Sequence, residues 1–94
     1  MSGIKSILTD DLDHCLICGS PYVEIHHCVY GTANRKIADK YGLVIALCRE
    51  HHTGPHGVHF DPVLDRDIKM GTQKMFERRY GRDKWMEIVG RNYL

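Results

Sequence analysis

Residues 22–30, Tyr-Val-Glu-Ile-His-His-Cys-Val-Tyr, alternate apolar and polar side chains and are rich in branched and aromatic residues, the pattern of a half-buried strand. Residues 43–47, Leu-Val-Ile-Ala-Leu, form a continuous apolar run entered through Gly42 and predict a second, buried strand. Between them, residues 31–40 carry Gly, Thr, Asn and three basic residues, which reads as a loop with one helical turn near residues 36–41. Further on, Leu64, Ile68, Met75, Phe76 and Tyr80 keep three-and-four spacing. This predicts an amphipathic helix with Pro62 in its first turn and Gly81 as its stop, weakened but not broken by Gly71. Asp83 is placed to cap a last short helix through Trp85, Met86, Ile88 and Val89, closed by Gly90. Residues 1–13 hold Lys5 and a few aliphatics and read as a loosely ordered lead-in. The expected fold class is small α+β, with two antiparallel strands and a helix followed by C-terminal helices.

A chain of 94 residues is expected to be a single domain, and one this small gains materially from a structural metal or a partner subunit. Thirteen basic against twelve acidic side chains exclude a protein that coats polyanions by bulk charge. The first sixty residues carry five Lys/Arg and six Asp/Glu, residues 61–94 eight and six, so the basic excess lies toward the C-terminus, at Arg78, Arg79, Arg82, Lys84 and Arg91. Spaced along helices, these read as a solvated face. Phe76 and Trp85, at helical spacing, read as core or dimer contacts rather than base-stacking platforms. No apolar run suits a secretory leader or a membrane span, which gives the expectation of a soluble, cytoplasmic protein. In a reducing compartment, Cys15, Cys18, Cys28 and Cys48 are better read as metal ligands than as disulfides.

Cys15-Leu16-Ile17-Cys18-Gly19 has the form of a zinc knuckle, and Cys48-Arg49-Glu50-His51 repeats its two-residue spacing. Together Cys15, Cys18, Cys48 and His51 offer the four corners of a structural zinc site. Cys28 competes for the fourth place, but it has no paired neighbour and reads as a small buried hydrophobe.

Among the remaining histidines stand the tandem pair His26-His27 and, beyond the second zinc corner, the crowded His52, His56 and His59. Taken with the zinc corners, Glu24-Ile25-His26-His27 followed by Leu47-Cys48-Arg49-Glu50-His51-His52 resembles an HNH endonuclease of the ββα-metal, or His-Me finger, group. The likeness is to phage-encoded HNH proteins, including those related to phage recombination-enhancement nucleases, and to the His-His strand of colicin DNases. It covers residues 15–60, with residues 61–94 as appended helices.

The resemblance implies a zinc-stabilised ββα-metal core, a two-stranded hairpin plus helix, and divalent-metal-dependent hydrolysis of DNA phosphodiester bonds with little sequence specificity. It makes His26 a ligand of the catalytic ion, His27 the general base and His52 a second ligand. A neutral imidazole suits the base, because its unperturbed pKa lies close to the working pH. A divalent ion, whether Mg²⁺, Mn²⁺, Ni²⁺ or Zn²⁺, would offset the charge that builds as the P–O bond breaks. The third ligand falls to His59 or His56: Gly54-Pro55 undermines the helix that would align His52 with His56, which favours His59. Arg35 and Lys36, in the segment after the His pair, are the candidates for phosphate contact. The resemblance departs at its middle letter, where Tyr41-Gly42-Leu43 replaces the expected asparagine and Asn34 or Asp39 stands nearby.

The partners implied are DNA, a second copy of the chain, and phage recombination or packaging proteins, in a phage- or prophage-carrying bacterial cell. Two rival readings from other classes are a non-catalytic zinc-containing nucleic-acid-binding module and a protein-interaction subunit whose helices after Asp61 form the interface.

Overall fold

A computed structural model describes residues 5–29 and 32–94 of the chain. Tyr30 and Gly31, at the end of the predicted first strand and the start of the predicted loop, lie outside the described residues, as do residues 1–4 of the lead-in. The elements run in the order β1 (Val23–His27), α1 (Thr32–Tyr41), β2 (Val44–Cys48), α2 (Arg49–His52), α3 (Pro62–Tyr80) and α4 (Arg82–Ile88). The fold is a small α+β arrangement built on one two-stranded antiparallel sheet. Among the described residues, no helix is long and apolar enough to cross a membrane.

β1 pairs with β2 so that Glu24 faces Leu47, His26 faces Ile45 and His27 faces Val44. Antiparallel partners share a face of the sheet and successive residues alternate. Glu24 and His26 therefore lie on one face with Ile45 and Leu47, and His27 on the other with Ile25 and Val44. Each face carries its own core. Ile45 and Leu47 pack with Cys15, Cys28 and Val58, and the second cluster joins Val44 to Val29, Ala38, Leu43, Phe76 and Trp85. β2 is buried along its whole length, which accounts for its unbroken apolar run.

The connection between the strands differs from the sequence expectation: residues 32–41 form a helix, not a loop with a single turn. Its composition is polar, but Ile37, Ala38 and Tyr41 line one side and pack against the cluster holding Phe76 and Trp85. Tertiary burial supports the helix where local propensity did not announce it. α1 ends at Gly42, which adopts φ of 72° while the Leu43 N–H returns to the Ala38 carbonyl at 2.9 Å, a left-handed glycine cap. A side chain at Gly42 would also meet the Lys5 carbonyl at 2.5 Å, because the lead-in crosses here.

Residues 5–13, expected as a loose lead-in, are tied to the sheet. Ile7 N–H donates to the Gly42 carbonyl at 3.0 Å, Ser6 Oγ donates to the Val44 carbonyl at 2.6 Å, and Ile7, Leu8 and Leu12 pack against the two cores.

α3 starts where the sequence predicts. The Asp61 carboxylate accepts the Val63 and Leu64 N–H groups, both at 3.1 Å, with Pro62 in the first turn. Phe76 and Trp85 are fully buried with ring centroids 5.5 Å apart, so they are core residues of the α3–α4 corner. α4 begins after Gly81. Asp83 lies in its first turn without making a side-chain cap, so its stabilising part is limited to the helix dipole. Buried Gln73 fastens the C-terminal tail by donating to Asn92 Oδ1 at 2.8 Å and accepting the Tyr93 N–H at 2.7 Å.

Candidate metal centre and active site

The knuckle at residues 15–19 is held by its own backbone. Cys15 N–H donates to the Ser20 carbonyl and Gly19 N–H to the Cys15 carbonyl, both at 2.8 Å, while Leu16 N–H bonds the Ala46 carbonyl of β2 at 2.9 Å. That last bond docks the knuckle beside the end of β2, where Cys48 stands, and the single turn of α2 then returns His51 toward it. Cys15, Cys18, Cys48 and His51 place their ligand atoms within 4.8 Å of one another.

The spacing suits one tetrahedral ion. Two sulfurs at about 2.3 Å from zinc subtend about 3.8 Å, and a sulfur and an imidazole nitrogen about 3.6 Å. Here Cys18 Sγ and Cys48 Sγ are 3.7 Å apart, Cys15 Sγ and His51 Nδ1 3.7 Å, and Cys48 Sγ and His51 Nδ1 3.2 Å. Burial alone would raise the Cys15 thiol, but hydrogen bonds from the backbone at Cys48, Cys18 and Ile17 outweigh it and hold the group at about 6. A thiol inclined to ionise is what a metal ligand requires. Cys15, Cys18, Cys48 and His51 are thus close enough to bind a metal ion, and the donor set is that of structural zinc. Cys28 is fully buried outside this group, and burial pushes its thiol up to about 12.

A second convergence lies on the Glu24 face of the sheet. The rings of His26, His52 and His59 form a triangle with centroid separations of 5.2, 5.3 and 5.0 Å, and their ligand nitrogens lie within 4.8 Å of one another. His26 forms the buried floor, at 1% exposure, and His59 the exposed rim. Desolvation, with the two neighbouring imidazoles, drives the His26 ring down to about 3, so it stands neutral at physiological pH. His59 is lowered for the same reasons, desolvation first and His52 second.

His59 arrives by a tight reversal. The segment after α2 folds back so that Val58 N–H bonds the His51 carbonyl at 2.8 Å and His59 N–H bonds the His52 carbonyl at 3.4 Å. Gly57 permits this approach, since a Cβ there would sit 2.5 Å from the His52 carbonyl oxygen. His56, the alternate third ligand, is exposed and outside the cluster.

Two carboxylates that sequence reasoning did not assign orient the imidazoles. His52 donates its Nδ1–H to Glu24 Oε1 at 2.8 Å, which leaves the Nε2 lone pair for the cluster. His27 donates its Nε2–H to Asp39 Oδ1 at 2.8 Å and keeps a lone pair on Nδ1. The signal for Glu24 was present in its i, i+2 relation to His26 on a strand. Asp39 became legible only once α1 was a helix. Asn34, the other residue near the missing asparagine, is also on α1 and partly buried. Arg35 and Lys36 are exposed on the same helix, with Arg35 one turn before Asp39.

The three imidazoles, open at the rim and with His52 braced by a carboxylate, form a group that could hold a metal ion. Next to His26 in sequence but on the other face of the sheet, at the end of β1, His27 is an imidazole outside the ligand group whose Nε2–H is held by Asp39. No family model matches the chain, and neither a curated protein nor a solved structure matches it.

Proposed function

We propose that the chain is a divalent-metal-dependent endonuclease of the HNH, ββα-metal type that hydrolyses DNA phosphodiester bonds with little sequence preference. The observation that carries this reading is the His26/His52/His59 cluster followed at the next position of β1 by His27, which is not part of it and whose Nε2–H is held by Asp39. The sheet β1–β2 with α2 would be the ββα core, in a variant whose strands are joined by a helix and whose last helix is one turn long.

His26, His52 and His59 would hold the ion, which when bound supplies positive charge to the phosphate and the departing oxygen. Glu24 keeps His52 in the tautomer that presents Nε2. His27 Nδ1 takes a proton from the attacking water as its oxygen bonds to phosphorus, and Asp39 offsets the positive charge that develops on the ring. The P–O3′ bond breaks, and the leaving oxygen receives its proton from solvent. Arg35 and Lys36, exposed on the helix that carries Asp39, are placed to contact the strand's phosphates. The Cys15/Cys18/Cys48/His51 site stabilises the frame, because it ties the lead knuckle to the end of β2 and to α2, whose next residue is His52.

The test is supercoiled plasmid incubated with zinc-loaded protein and a series of divalent ions, beside His27→Ala. Nicking by the wild type and a loss of about 10²- to 10⁴-fold in the variant, with DNA binding retained, is the expected result. Equal nicking by both proteins would refute the assigned base. Binding without cleavage in either would leave a non-catalytic zinc-containing nucleic-acid-binding module.

A further inference from the structure

At the C-terminal end of α1, an open cleft of about 350 Å³ is lined by Lys5, Lys40 and Arg79 together with Ser6 and Asp39. Its three cations come from three distant stretches of chain: the lead-in, the last turn of α1 and the last turns of α3. None of them forms an ion pair with a carboxylate among the described residues, and all three are exposed. Asp39, the acidic residue lining the cleft, has one oxygen committed to His27 at 2.8 Å.

Helix dipoles favour a cation in the last turn of each helix, which accounts for Lys40 or Arg79 taken singly. They do not explain why two helix ends and a lead-in lysine share one cleft, since three like charges around the single carboxylate of Asp39 leave a net positive excess that repels. Nor is Lys5 there by looseness. Its segment is fixed by the Ile7–Gly42 and Ser6–Val44 hydrogen bonds at 3.0 and 2.6 Å, and its own carbonyl lies 2.5 Å from where a Gly42 side chain would stand. The Tyr41 ring, 5.5 Å from Lys40 Nζ, supports a second of the three.

We propose that the cleft bounded by Lys5, Lys40 and Arg79 is a phosphate-binding site that grips a backbone phosphate of nucleic acid flanking the bond presented to His27. The choice of nucleic acid rests on the nuclease reading of the histidine site. Its structural basis is Asp39, which touches the proposed base on one side and lines the cleft on the other.

The experiment is fluorescence anisotropy of a labelled DNA duplex against the zinc-loaded full chain, without added divalent ion, across a salt series. Wild type is compared with Lys5→Gln/Lys40→Gln/Arg79→Gln. A control, Arg66→Gln/Lys74→Gln/Arg78→Gln, removes the same formal charge from other exposed positions. The cleft variant is expected to lose roughly 10- to 100-fold in affinity at low salt, and the slope of log K against log salt should fall by about one for each phosphate no longer neutralised. The control should change neither by a comparable amount, and circular dichroism should show all three proteins folded.

Equal weakening by cleft and control variants, an unchanged slope in the cleft variant, or no salt-dependent DNA binding by the wild type would each overturn the proposal. A parallel titration with inorganic phosphate, followed by NMR at the Lys5 and Lys40 amides, separates the sources. Shifts with phosphate alone, without DNA binding, would make the cleft a small-anion site and sink the nucleic-acid assignment. A reduced slope in a protein that cuts nothing supports the cleft and removes the nuclease reading, whereas nicking with an unchanged slope does the reverse.

Discussion

His27 and Asp39, twelve residues apart in sequence, are joined by a 2.8 Å hydrogen bond from the last residue of β1 to the outer face of α1. Because a carboxylate can only accept, the bond assigns the proton to Nε2 and the basic lone pair to Nδ1. Asp39→Asn keeps the size but loses the negative charge that steadies an imidazolium. Plasmid nicking by this variant is expected to fall about 10- to 100-fold while metal content stays at the wild-type level and DNA affinity does not fall. Undiminished nicking would remove Asp39 from the site.

Glu24 and His52 form the matching pair on the other face of the sheet, also at 2.8 Å. Glu24→Gln is expected to weaken divalent-ion binding at the three-histidine cluster by about 10- to 100-fold. The cysteine site should keep its zinc, so calorimetric titration of the zinc-loaded protein with Mn²⁺ or Ni²⁺ would isolate the change. Equal affinity in variant and wild type would mean that Glu24 is only a surface partner.

Zinc at Cys15, Cys18, Cys48 and His51 should be worth a large share of the stability of so short a chain. A ligand present at a thousand times its dissociation constant stabilises by about 4 kcal/mol, so stripping it should lower the melting temperature by roughly 15 °C or more. Cys48→Ser should reproduce that loss and remove one equivalent of zinc by elemental analysis. A variant that melts with the wild type would show that the four residues hold no structural ion.

Cys28 tests the interior independently of any metal. Burial lifts its thiol to about 12, whereas an unfolded cysteine ionises near 8.5. Between those values the unfolded chain gives up a proton that the folded chain keeps, so this group lowers stability progressively as pH rises above about 8.5. At pH 8 the native, zinc-loaded protein should leave Cys28 unlabelled by an alkylating reagent, and guanidinium with a chelator should release all four thiols. Mass spectrometry of the peptides reads the outcome directly. Rapid native labelling of Cys28 would contradict its burial beside Ile45 and Leu47.

Local chemistry by itself was enough for the two strands, for α3 with its Asp61-Pro62 start and Gly81 stop, and for the Cys-x-x-Cys and Cys-x-x-His corners of the zinc-type site. These signals are complete within a few residues: a period, a cap or a two-residue spacing that sets ligands on one turn. Tertiary structure decided the rest. α1 is helical because Ile37, Ala38 and Tyr41 find the aromatic cluster of α3 and α4, partners at least thirty residues away in sequence. His59 rather than His56 joins His26 and His52 because backbone bonds fold residues 53–59 back over α2. Glu24 and Asp39 reach their histidines through strand register and the placement of α1, and the cleft of Lys5, Lys40 and Arg79 exists only where three segments meet. A sequence encodes such meetings through burial summed over the whole chain, which no short window contains.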